Sequence, residues 1–195
     1  MSPFRVHLAS ILGTILMFIA ALWLNEMLFA RTEFVQGINW IYLPAGVRLL
    51  STLLLAEGGA IGLLLAGWIV KFTYVFPHDP QRAFIGGIIS SLVPYLIYKA
   101  AQHRYGLEAS LSNLTSSRLF VLILAFSFLD PLAQHVWLLL QGRTHLLFEG
   151  LTVMVIGNLV GTMLVIYTLK AGLALSARLL PHPPARAKAH QRIPP

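Results

Sequence analysis

The chain has 195 residues, of which 57% are hydrophobic and 11% charged, with a formal net charge of +7 and no cysteine. A soluble domain carries about 25% charged residues, so this composition excludes an ordinary cytosolic enzyme, a disordered protein and a soluble nucleic-acid binder. The absence of cysteine excludes disulfides, iron–sulfur clusters, thiolate zinc sites and cysteine nucleophiles. With a mean hydropathy of +0.75, the sequence is typical of one polytopic membrane domain.

Six apolar runs have about the length that a helix needs to cross the roughly 30 Å hydrocarbon core of a bilayer. They are residues 8–24, 38–56, 59–76, 84–101, 119–140 and 146–169. A cleavable signal peptide is the rival interpretation of the first run, but Leu28 and Ala30 form a poor cleavage pattern and the run is longer than a usual signal core. We therefore predict an all-α integral membrane protein, a bundle of about six transmembrane helices.

The second run differs from the others because Pro44, Gly46 and Arg48 interrupt it. Proline lacks a backbone donor and disfavours helix in the residue before it. We therefore expect this segment to be broken at Pro44 or only half-inserted, and we expect a tight break at residues 57–59 before the third run. A five-span alternative makes the second segment re-entrant and places the termini on opposite sides of the membrane.

The basic residues sort by side when six spans are assumed. One side carries Arg5, Lys99, Arg104, Arg118, Lys170, Arg178, Arg186, Lys188 and Arg192, and the other carries Arg31, Lys71, Arg82 and Arg143. The positive-inside rule then predicts a multi-pass membrane protein with both termini in the cytoplasm. Residues 1–177 form the transmembrane domain in this interpretation. Residues 178–195 form a basic, Pro-rich, disordered tail that is attracted to anionic lipid headgroups and not to nucleic acid.

The most informative polar residue is Asp130, which lies near the middle of the fifth run. An ionised side chain at the bilayer centre costs about 2.5–3.5 kcal/mol on insertion scales. At 100° per residue, Ser127, Asp130, Gln134 and Gln141 form one polar stripe that has to face the bundle interior. Arg48 is the natural counter-charge. The stripe is either a ligand or proton site built around Asp130, or a structural hydrogen-bond cluster.

Small residues form stripes on two of the predicted helices. Gly58 and Gly62 lie four residues apart, as do Gly157 and Gly161, and this small-xxx-small pattern lets transmembrane helices approach closely. Asn158 lies beside the second stripe, where its amide is able to hydrogen-bond across to Asp130. The candidate polar pocket, for a ligand or for a structural hydrogen-bond cluster, therefore consists of Asp130, Gln134, Asn158, Arg48 and Trp40.

Signatures of enzymes and metal sites are missing from the sequence. There is no phosphate-binding Gly-Lys-Ser/Thr loop, no G-x-S-x-G elbow and no H-E-x-x-H. His145 and Glu149 share a helical face, and even with His135 they make a weak case for a metal. We predict a non-enzymatic protein with no metal site and no cofactor.

The segment Asn39-Trp40-Ile41-Tyr42-Leu43-Pro44-Ala45-Gly46-Val47-Arg48 resembles the Trp–Pro–x–Gly element of the MASE-type membrane-associated sensor domains. These domains stand at the N-termini of bacterial histidine kinases and cyclic-di-GMP enzymes. Residues 157–161 resemble the closing helix of that family, with Asn158 where the family typically carries an aspartate. The family usually has more spans and a cytoplasmic output domain. The resemblance implies a stand-alone sensor-like protein that acts through a partner.

Two functional hypotheses follow. The first is a non-enzymatic inner-membrane sensor-like protein with a polar intramembrane pocket, which signals through a protein partner in the membrane or cytoplasm. The alternative is the substrate-binding membrane subunit of an importer for a small solute such as a vitamin or a metal, which would dock on a coupling subunit through one of the glycine stripes. A structural or assembly subunit without a ligand is a third possibility.

Overall fold

A computed structural model describes residues 2–108, 111, 113–143, 145 and 147–179. Within these ranges the chain forms five long α-helices and one two-stranded antiparallel sheet. The elements are α1 (Pro3–Phe29), β1 (Glu33–Val35), β2 (Ile38–Asn39), α2 (Leu43–Val70), α3 (Pro80–Tyr105), α4 (Ser116–Leu140) and α5 (Leu147–Leu179). Helix α5 continues past residue 178, where the sequence predicts the start of the tail, and residues 180–195 lie outside the described ranges.

All five helices are long and apolar enough to cross a membrane. Over the most apolar 18 residues of each helix, the mean hydropathy lies between 1.4 and 2.1. The prediction of an all-α membrane bundle is confirmed at this level. The sequence predicts six spans, and the structure has five such helices because the predicted second and third spans lie within the single helical element α2.

The chain reverses direction inside α2, at Ala56. This residue has φ 49° and ψ −121°, a left-handed conformation between two helical arms, residues 43–55 and 57–70. In one straight helix residues 51 and 59 would be about 12 Å apart along the axis. Here the α-carbon of Gly59 lies directly against the backbone carbonyl of Ser51. The two arms therefore pack side by side and run antiparallel.

Contacts with α1 confirm this arrangement. The backbone N–H of Leu43, at the start of the first arm, donates to Oδ1 of Asn25 near the end of α1 (2.8 Å). A β-carbon added to Gly58, at the start of the second arm, would lie 2.9 Å from Cβ of Ser10 near the beginning of α1. The first arm thus runs back along α1, and the second arm returns beside it.

The expected break at Pro44 is wrong. Pro44 lies in the first turn of α2, where a missing N–H disrupts no intrahelical bond and the fixed φ suits the helix. The predicted second span also begins too early, because residues 38–39 belong to the β1–β2 hairpin. Gly37, with φ +81°, turns the chain between these strands.

The arms of α2 form the centre of the bundle and pack against α1, α3 and α5. The main buried apolar cluster includes Leu49 and Leu53 of the first arm, Ile97 of α3 and Phe126 of α4. A π-helical turn, Lys71–Val75, ends the second arm. Asp79 then begins α3 by accepting a hydrogen bond from the backbone N–H of Arg82 (3.0 Å). This packing brings one face of α4 toward the first arm of α2.

Candidate functional site

Three helices each contribute one buried polar side chain to a single cluster in the bundle interior. Arg48 comes from the first arm of α2, Asp130 from the middle of α4 and Asn158 from α5. Arg48 is 3% exposed, and the other two side chains are completely buried. We refer to Arg48, Asp130 and Asn158 as the polar cluster. The structure thus brings together three of the five residues that the sequence assigns to a polar pocket.

One carboxylate oxygen holds the polar cluster together. Nη1 of Arg48 lies 3.4 Å from Oδ2 of Asp130, and Nδ2 of Asn158 donates to the same oxygen at 3.2 Å. The other side of the guanidinium is occupied, because Nη2 donates to the hydroxyl of Tyr42 (3.3 Å). The guanidinium carbon also lies 5.5 Å from the ring centre of Phe18 and 5.2 Å from that of Tyr42. Aromatic faces at these distances attract the cation.

The polar cluster is not saturated with hydrogen bonds. Oδ1 of Asp130, Oδ1 of Asn158 and Oγ of Ser127 are buried and have no hydrogen-bond partner within the described residues. A buried polar atom left unpaired costs about 1–3 kcal/mol. Ser127 lies one turn before Asp130 on the same face of α4. The cluster therefore keeps free capacity to accept hydrogen bonds beside a buried carboxylate.

Gln134 and Trp40, the other two predicted pocket residues, lie elsewhere. Gln134 is one turn beyond Asp130 and half-buried, and its Nε2 donates to Oγ of Ser90 on α3 (3.3 Å). Trp40 is 43% exposed and lines a surface cavity of about 380 Å³ with Phe34 and Phe148. Gln134 thus extends the polar stripe toward α3, whereas Trp40 lies apart from the polar cluster.

Both glycine stripes pack against other parts of the same chain. The α-carbon of Gly157 lies against the backbone carbonyl of Asn39, and that of Gly161 against the carbonyl of Tyr42. The carbonyl of Gly157 in turn accepts a hydrogen bond from the backbone N–H of Tyr42 (3.1 Å). This stripe on α5 therefore packs against residues 39–42, the segment that leads into α2.

The other stripe, Gly58 and Gly62, packs against helix α1. A β-carbon at Gly58 would meet Ser10, and one at Gly62 would lie 2.7 Å from Cβ of Thr14. Small residues on both helices allow this close approach of α1 to the second arm of α2. Both stripes are thus used for packing within the chain.

Two residues that contact the Arg48 guanidinium, Tyr42 and Phe18, are not predicted from the sequence. Tyr42 appears in the sequence analysis only as part of segment 39–48, and Phe18 does not appear there. Phe18 is 2% exposed in a helix whose other large apolar side chains mostly face outward, so burial alone distinguishes it. Tyr42 precedes α2 by one residue, and no helical periodicity links it to Arg48.

The fold and the polar cluster define a polytopic helical membrane protein with a charged pair shared among three helices. Comparison of the chain with known protein families, with curated proteins and with solved structures finds no match.

Proposed function

We propose that this chain is a non-enzymatic, sensor-like membrane domain in which the polar cluster couples α2, α4 and α5. The observation that carries this proposal is the shared oxygen, because Oδ2 of Asp130 is bound both by a cation on α2 and by an amide on α5. A change at this one carboxylate alters contacts of three helices together. A protein partner in the membrane or cytoplasm would read that change.

Asp130 has the properties of such a control point. Its charge is compensated by a single guanidinium, and its second oxygen has no partner among the described residues. A proton bound at Oδ1, or a hydrogen-bond donor of a ligand there, would weaken the ion pair between Asp130 and Arg48. The charged side chain of Arg48 is then costly to keep in an apolar interior. A ligand shifts a conformational equilibrium by its differential affinity for the two states. Occupancy at Asp130 thus favours a helix arrangement in which Arg48 is paired differently.

We further propose six passes, with both termini in the cytoplasm of a bacterial cell. Two observations support this topology. The arms of α2 run antiparallel, and counting each arm as one pass gives six. The ends of α1 and α5 that carry Arg5 and Lys170 then lie on the side with more basic residues, which the positive-inside rule assigns to the cytoplasm.

The geometry favours this function over the substrate-binding subunit of an importer. That alternative needs an exposed small-residue stripe for docking on a coupling subunit. Gly58 and Gly62 are covered by α1, and Gly157 and Gly161 by residues 39–42. The resemblance of residues 39–48 to the MASE-type sensor domains supports the same choice.

The test uses the absence of cysteine in the chain, which makes introduced cysteines unique labelling sites. Spin labels at Leu54→Cys on α2 and Lys170→Cys on α5 report the distance between these helices in lipid nanodiscs. Both side chains are exposed. We expect Asp130→Asn, which removes the charge and keeps the shape, to shift or broaden the distance distribution.

The matched control is Glu149→Gln, the same carboxylate-to-amide change at an exposed position on α5. It should leave the distribution as in the parent. If Asp130→Asn and the parent give the same distribution, the polar cluster does not couple the helices and the proposal fails. Purification from native membranes with mass spectrometry then addresses the partner. A signalling kinase or cyclic-dinucleotide enzyme supports the sensor role, whereas an ATPase pair with a coupling protein contradicts it.

A further inference from the structure

A basic cavity opens at the end of the bundle where α4 ends and α3 and α5 begin. Its volume is about 210 Å³, and its polar lining consists of Arg82, His135, Arg143 and His145. The rest of the lining is apolar and comes from the β-hairpin and the adjoining helix ends. No carboxylate lines the cavity within the described residues. It is separate from the polar cluster and does not depend on the function proposed for it.

The positive charge of this cavity is only partly compensated. Nη1 of Arg143 forms an ion pair with Oδ2 of Asp79 (2.6 Å), which lines a small neighbouring cleft. The Arg82 guanidinium makes no hydrogen bond or ion pair with any described residue. It stacks instead over the ring of Phe76, 4.0 Å from the ring centre. Of the two guanidinium groups, only that of Arg143 is thus paired with a carboxylate among the described residues.

A buried lysine amine near the cavity adds an independent observation. Lys71 is 8% exposed, and its amine makes no hydrogen bond or ion pair within the part of the chain that the structure describes. It lies 5.8 Å from the same Phe76 ring and against Gly86, one turn after Arg82 on α3. A buried ammonium without a counter-charge is costly. An anion bound at this end of the bundle would therefore stabilise the charged form of Lys71.

We propose that this cavity binds a phosphate group between Arg82 and Arg143. The guanidinium fork matches the oxygens of phosphate, and charge-assisted hydrogen bonds of this kind are strong. The N-termini of α3 and α5 lie at the same end of the bundle, and their partial positive charge favours an anion. The phosphate comes either from solution or from the headgroup of an anionic lipid, since both present the same oxygens.

The first experiment tests phosphate itself. Protein freed of lipid in detergent is titrated with inorganic phosphate by calorimetry, against sodium chloride at equal ionic strength and pH. We expect saturable binding by the parent and binding at least about tenfold weaker in Arg82→Gln, as expected for the loss of a hydrogen bond to a charged group. Asp79→Asn removes the competing carboxylate and should bind phosphate more tightly than the parent.

The control is Arg31→Gln, which removes one exposed arginine at the same end of the bundle but outside the cavity. It should bind like the parent. Equal binding by the parent, Arg82→Gln and Arg31→Gln indicates general charge attraction and overturns the proposal. If Arg82→Gln does not fold, Arg143→Gln takes its place, with the same expected loss.

The second experiment tests the lipid source by native mass spectrometry with phosphatidylglycerol or diacylglycerol added to the micelles. Retention of phosphatidylglycerol alone, lost in Arg82→Gln, supports the site and identifies a headgroup as the ligand. Binding of inorganic phosphate without lipid retention supports the site with a soluble ligand. If neither phosphate nor phosphatidylglycerol binds, the cavity is not a phosphate site.

Discussion

Arg48 and Asp130 meet through a single pair of atoms, Nη1 and Oδ2, at 3.4 Å in the bundle interior. The pairing is neither bidentate nor short, although a guanidinium and a carboxylate are able to form two parallel hydrogen bonds. The amide of Asn158 donates a hydrogen bond to the same carboxylate oxygen. The other terminal nitrogen of Arg48, Nη2, donates to the hydroxyl of Tyr42. The pair is therefore held by its surroundings as much as by its own contact, which makes its response to substitution informative.

Removing one charge of this pair should cost more stability than removing both. Asp130→Leu leaves Arg48 buried without a counter-charge, and we expect a loss of about 3–5 kcal/mol in the free energy of unfolding. The double variant Arg48→Met with Asp130→Leu replaces the pair by apolar side chains and should regain most of that loss. Unfolding in detergent with increasing denaturant measures both. A single variant as stable as the parent would show that the pair carries no such energy.

The glycines on α5 should tolerate substitution very differently. A β-carbon at Gly161 would overlap the backbone carbonyl of Tyr42, whereas one at Gly172 meets no atom within 4 Å. We expect Gly161→Ala to lower the unfolding free energy by about 1–3 kcal/mol, as overpacking does. Gly172→Ala should leave it unchanged or raise it, because alanine is the better helix former. Thermal unfolding of the two variants in the same detergent makes the comparison, and equal losses would contradict it.

The reversal in α2 makes a further prediction. Ala56 has φ 49° and ψ −121°, a sparsely populated conformation that costs a residue with a β-carbon about 1–3 kcal/mol. Ala56→Gly should therefore stabilise the protein, by up to about 1 kcal/mol after the greater flexibility of the unfolded chain is counted. The matched control is Ala60→Gly, four residues on in the second arm, which should destabilise it by about 1 kcal/mol. Equal destabilisation by both substitutions would show that the positive φ at residue 56 stores no strain that glycine relieves.

The start of α3 should respond to pH. The backbone N–H of Arg82 and the Arg143 guanidinium hold the pKa of Asp79 below its ordinary value. The ionised carboxylate therefore contributes stability that is present above its unfolded pKa of about 4. This contribution is lost as the pH falls through the lowered value in the folded protein.

Asp79→Asn isolates this charge, because asparagine still caps a helix. Melting temperatures should show a constant deficit of the variant above about pH 5, and the deficit should close as the pH falls below about 4. Added salt should reduce the deficit, since Asp79 and Arg143 are partly exposed. A deficit independent of pH would mean that the charge does not stabilise this helix start.

The sequence allows the main elements and the charged pair to be predicted because membrane burial makes polar residues conspicuous. Asp130 and Arg48 stand out as charges in apolar runs, and the structure pairs them. Asn158 lies beside a glycine stripe and also reaches Asp130. These inferences need only hydrophobic runs and helical periodicity.

Other features depend on contacts between distant parts of the chain. Leu43, at the start of α2, has its N–H bound by Asn25 of α1, so the first turn forms at Pro44 although no local side chain caps it. The sequence predicts a break at residues 57–59, but the positive φ lies at Ala56, whose side chain gives no signal for it. The two glycine stripes are predicted as packing surfaces, but their occupants, residues 39–42 and α1, emerge only from tertiary packing.

The close packing of residues 39–42 on Gly157 and Gly161 restricts how α5 is able to move. Backbone rests on backbone there, with no side chain between them to absorb a displacement by changing rotamer. A rotation of α5 about its axis would therefore carry the β-hairpin at the end of the bundle along with it. Asn158 lies between these two glycines in the sequence, so the helix that touches the buried carboxylate also packs against the end of the hairpin.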